Sequence, residues 1–175
     1  MHKSVATKSS TFFDRAFNGN FDEGNTQSMR LEDVEIPIFS MLLHWMYFHE
    51  IEDKNEEDVM GLAKLWVLGG RFLVPEVQNA AMALILDTIP GLYDDKIKEL
   101  VIFASESQRR YPLRKLAIDL LSWGRIYGDF ETWGKDLSAE ILLELAANLR
   151  GCMPWEVEYN GRYLLSSVTR YEVPT

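Results

Sequence analysis

Residues 35–51, EIPIFSMLLHWMYFHEI, carry Ile38, Phe39, Leu42, Leu43, Trp45, Met46 and Tyr47. Wound at helical pitch, they are apolar over most of the circumference, and a helix apolar nearly all round belongs inside a protein. The segment is therefore expected to be the central helix of the fold, with other elements packed on it.

Residues 10–23, STFFDRAFNGNFDE, place Phe13, Ala16 and Phe17 at i, i+3 and i+4, one face of a helix. Ser10 or Thr11 can cap its start, with Thr11 and Asp14 as a weak capping box. Asn18-Gly19 tolerates a left-handed exit. In QSMRLED, Met29 and Leu31 alternate with polar neighbours, which predicts a brief half-buried strand.

Residues 55–86 read as a helical hairpin joined near Gly69-Gly70. Val59, Leu62, Ala63 and Trp66 face inward on its first arm, and Val77, Ala80, Ala81 and Leu84 on its second, with Pro75 in a tolerant first-turn position. Each mid-helix glycine costs about 1 kcal/mol against alanine, so a kink is expected at the pair. Three more stripes follow. They are Ile97, Leu100, Val101 and Ala104; then Leu113, Leu116, Ala117, Leu120 and Leu121 after Pro112; then Leu142, Leu145, Ala146 and Leu149 between Ser138 and Gly151. A connection rich in glycine and aromatics spans residues 123–134, and Asn160-Gly161 between Val- and Tyr-rich runs is a hairpin signal. No internal repeat or low-complexity tract is present.

The 175 residues allow one domain, or one domain with a substantial extension, and 47% hydrophobic with 26% charged residues is ordinary globular composition. A net charge of −9 argues against nucleic acid, because phosphate binding draws its affinity from clustered Lys and Arg. The single cysteine, Cys152, excludes an intrachain disulfide, and MHKSVATKSS lacks the apolar centre of a signal peptide. Those features predict a reducing compartment, cytosol or nucleus. No apolar run approaches the roughly 18–20 residues of a membrane span, so no membrane partner is expected.

Chemistry finds little purchase. His44 and His49 lie five apart, off a shared helical face, and with His2 they form no metal-ligand spacing. Arg150 stands near Cys152, but no histidine partner for a nucleophilic thiol is assignable. Gly69-Gly70 lacks a phosphate-loop context, and the acidic residues 50–58 lack the spaced ligands of a calcium loop. No catalytic residue, cofactor, metal or small-molecule substrate is expected.

In order, these pieces resemble the BTB/POZ domain, especially its fungal single-domain versions. The resemblance covers roughly residues 1–86. His2-Lys3 is similar to the end of the family's "VHK" strand. Ser10, Phe12, Phe13, Ala16, Phe17, Gly19, Phe21 and Glu23 follow its "S-x-y-F…a-F-x-g-x-F-x-E" run. Phe39, Leu42, Leu43, Trp45, Tyr47 and Ile51 resemble its "F-x-x-l-L-x-W-l-Y-x-g-x-i" helix. Leu62, Leu65, Leu68, Phe72, Val74-Pro75, Gln78 and Asn79 resemble its "L…L-y-x-L-a-d-k-f-x-v-p-x-L-q-N" hairpin. PLRKLAIDLL, residues 112–121, is similar to the helical extension common after this domain in fungal proteins.

The resemblance implies an α+β, mainly helical fold with a BTB/POZ-like domain over residues 1–88. A helical extension over residues 89–175 would end in the Asn160-Gly161 hairpin. The family carries two strands ahead of the His-Lys pair, so the resemblance implies a truncated N-terminal sheet, completed by that hairpin or by a second subunit. It also implies a protein-interaction module whose partner is itself, as a homodimer, or cullin-3, as a ubiquitin-ligase adaptor. Val5 and Ala6 would lie at the dimer seam, and Tyr47, Phe48, His49 and Glu50 at a cullin-facing edge. The rival readings are a small helical enzyme built on the C-terminal half and a partly unfolded product of a truncated gene.

Overall fold

A computed structural model of the chain describes residues 1–51, 58–106, 112–123, 130 and 134–151. Helices follow one another as α1 (Lys3–Ser9), α2 (Thr11–Asn18), α3 (Asp22–Thr26), α4 (Ile36–Phe48), α5 (Val59–Arg71) and α6 (Pro75–Thr88). After a 3₁₀ turn at Ile89–Gly91 come α7 (Asp94–Ser105), α8 (Pro112–Trp123) and α9 (Ala139–Gly151). The fold is mainly helical. No strand forms among the described residues, and residues 28–31 run between α3 and α4 outside any ladder. The strand expected at Met29 and Leu31 is therefore corrected: its alternating pattern is real, but no neighbouring segment supplies backbone partners. The Asn160-Gly161 hairpin lies outside the described residues.

Ser10 separates two helices and serves both. Its backbone is extended, its N–H donates to the Ala6 carbonyl to close α1, and its Oγ accepts from Phe13 N at 3.1 Å to open α2. The same hydroxyl donates to the Phe72 carbonyl at 2.5 Å, 62 residues away. Ser10 is buried, so alanine there would strip a helix cap and a long-range tie together. Ser10→Ala should cost about 1–3 kcal/mol, read as a lower urea midpoint at unchanged slope. An unchanged midpoint would show that water replaces both contacts.

Gly19 ends α2, but in extended backbone at φ −86° rather than in the left-handed exit expected of Asn18-Gly19. Glycine is needed for a different reason: a Cβ there would collide with the Arg15 carbonyl oxygen. α4 does leave its helix through a left-handed residue, His49 at φ 56°, whose N–H donates to Trp45 O.

The centre of the fold is α5, which packs on α4, α6 and α7 and buries Val59, Leu62, Ala63, Leu65, Trp66 and Leu68. This corrects the expectation that α4 is central. α4 buries Ile38, Leu42, Trp45 and Met46 against α5 and α1, while Ile36, Tyr47 and Phe48 stay exposed. Its all-round apolarity has another outlet, described below.

The expected kink at Gly69-Gly70 does not occur. α5 continues through Arg71, and the chain reverses at residues 72–74, where Leu73 is left-handed and Val74 N–H donates to Gly69 O. A Cβ at Gly69 would come to 2.6 Å of Val77 Cγ1, so the glycine answers to close packing of α6 on α5.

Beyond α6, the stripe Ile97, Leu100, Val101 and Ala104 is buried as its spacing predicts. α9 is rotated from expectation: Ile141 and Leu145 are buried, whereas Ala146 and Leu149 are exposed. Ser138 Oγ accepts from Ile141 N at 3.3 Å, the expected cap. Arg114 of α8 is buried and joins three helices. It donates to the Ser105 carbonyl at the end of α7 (2.7 Å), and to Glu144 (3.2 Å) and Glu140 (3.2 Å) on α9. One hydrophobic cluster runs unbroken from Ala6 to Leu145, across the expected boundary at residue 88. No helix of the described residues is long and apolar enough to cross a membrane.

Candidate functional site

The outer face of α4 shows what its excess of apolar residues does. Phe39 and Leu43 form one wall of a groove of about 490 Å³, and Phe17, Met29, Leu31 and Val34 help form the rest. Beneath it Phe72 is fully buried, stacked on Phe13 at 4.9 Å and in contact with Phe12 at 5.2 Å and Phe39 at 6.2 Å between ring centroids. The connection into α4 is held to α5 by ion pairs. Arg71 meets both Asp33 oxygens at 3.2 and 3.3 Å, and Lys64 meets Glu35 at 2.8 Å. The hydrogen bond and charge of Arg71 hold the Asp33 carboxyl below the usual carboxylate range.

At the far end of α4 an aromatic edge faces outward. Phe48 is 64% exposed and leans on the His44 ring at 4.6 Å, and His49 stands edge-on to Trp45 at 5.0 Å. Tyr47 is 40% exposed, its hydroxyl accepting from the His2 backbone N–H at 2.8 Å. Glu50 is exposed beside them. The two residues expected at a dimer seam, Val5 and Ala6, lie on α1. Val5 is half-buried against the core, and Ala6 has no exposed surface, so its methyl serves this chain's own packing. A periodicity-two reading missed the groove, whose residues come from Met1, α2, the residue 28–35 connection and α4. The available signal was the surplus of apolar positions on α4.

Among the described residues, no three His, Cys, Asp or Glu side chains come together in a way that could hold a metal. No buried side-chain polar atom there lacks a hydrogen-bond partner. What the geometry offers is apolar and aromatic area framed by charged side chains, the composition of a protein docking surface.

The family model described as BTB/POZ domain matches residues 1–88, just over half of the 175-residue chain. The chain belongs to the BTB/POZ domain family. This BTB/POZ domain is 32% identical over 75 residues to Kelch-like protein 40 of Xenopus tropicalis, an alignment covering 42% of this chain and 12% of that protein. It is 29% identical over 75 residues to Kelch-like protein 40 of Xenopus laevis, with the same coverage. The chain thus spans about an eighth of the length of the curated relatives it matches. A BTB/POZ domain is a protein-interaction module. Here its matched region contains α1 to α6, and so both the groove and the aromatic edge.

Proposed function

We propose that this chain is a docking and oligomerisation scaffold that works through the outer face of α4, with no bond made or broken. The observation that carries the reading is large apolar side chains left open on one element: Ile36 at 81%, beside the groove, and Phe48 at 64% and Tyr47 at 40% at the far end of α4. Contiguous apolar surface rimmed by charge marks interaction sites, and a few buried aromatic anchors dominate such interfaces. The partner is a second copy of the chain or another protein. In this reading residues 1–88 dock, and α7, with α8 and α9 packed in turn on it, buttresses α5. The residue 10–23 run and the residue 112–121 helix support a fungal-type assignment, and the lone Cys152 supports the cytosol or nucleus.

A second reading, cullin-3 adaptor, draws support from the similarity to Kelch-like protein 40 and from the exposed edge Tyr47, Phe48, His49 and Glu50. It ranks second because the hydrophobic-x-Glu element of cullin-3 binders has no counterpart in the first turns of α4, where Ile36-Pro37 is followed by Ile38-Phe39-Ser40-Met41.

Light scattering on the purified chain should give a mass above the monomer, or affinity capture should retain a stoichiometric protein partner. Phe48→Asp should weaken that association by roughly 30-fold or more, the loss of about 2 kcal/mol typical of an anchor. Because Phe48 is mostly exposed, the variant should unfold at the wild-type midpoint. A strictly monomeric chain that retains nothing sinks the scaffold reading. Purified cullin-3 that binds wild type and not the variant would promote the second reading over the first.

A further inference from the structure

We draw no further inference here: the strongest candidate, the cleft of about 630 Å³ lined by Trp66, Gln78 and Met82 of the α5–α6 hairpin with Glu106 and Pro112, is an unpartnered face, and nothing in the structure shows what covers it.

Discussion

Replacing Phe72 with alanine is expected to remove about 3–5 kcal/mol of stability, the usual loss when a buried phenylalanine is truncated. Phe72 is completely buried where the residue 72–74 turn meets α2 and α4, and its ring touches Phe12, Phe13 and Phe39. Truncation removes apolar area and opens a void walled by rings from both α2 and α4, so no single side chain can collapse into it. Native domains hold only about 5–15 kcal/mol in total, which makes this loss about a fifth or more of the reserve. In a domain of this length the melting temperature should fall by roughly 6–20 °C. Phe72→Leu, which keeps most of the volume, should lose markedly less. Because the floor of the α4 groove rests on this ring, the alanine variant should also weaken partner retention. A folded Phe72→Ala protein melting within a degree or two of wild type would show that the aromatic cluster is not the keystone of the α2–α4–α5 junction.

Arg114→Ala should be of similar size, about 3–5 kcal/mol, for a different reason. The Arg114 side chain is 8% exposed and that of Glu144 15%, so their hydrogen-bonded pair is largely withdrawn from water. Taking away the guanidinium removes two charge-assisted hydrogen bonds from a largely buried carboxylate and one from the Ser105 carbonyl. The burial of the bonded pair sets the magnitude. Two controls test this. Glu140→Gln, at a side chain 59% exposed, should change stability by no more than about 0.5 kcal/mol, since exposed pairs contribute little. Arg114→Met combined with Glu144→Leu should recover most of the loss, because a well-packed apolar pair can replace a buried ionic one. If urea unfolding finds Arg114→Ala and Glu140→Gln equal, the buried network contributes nothing beyond a surface ion pair.

The position of Arg114 also explains why hydrophobic packing continues past residue 88. α8 meets α7 and α9, and α7 meets α5, so helices outside the family-matched region share one core with those inside it. A substitution at Arg114 should therefore be felt through α7 at the central helix. The outer face of α4 should keep its shape in whatever fraction stays folded.

Local patterns in the chain were enough to read the helices α2 and α4 to α9, the Ser138 cap, the proline starts of α6 and α8 and the buried stripe of α7. Each depends on a residue's own preferences and on spacing that repeats every 3.6 positions. The same patterns, matched piece by piece to the family, pointed to a protein-binding role and to Tyr47, Phe48, His49 and Glu50, which stand together because they are consecutive at one helix end. Other features depended on neighbours distant in the chain. Ser10 reaches Phe72, Gly69 makes room for Val77, Arg114 bridges to Glu144, and Met29 and Leu31 line a groove instead of joining a ladder. Ala6 is buried by packing that its own spacing does not announce. α4 looked central and is half-covered, while α5 holds the middle. Periodicity reports which side of an element is oily, but whether that side meets another helix or stays open is settled by how the whole chain packs.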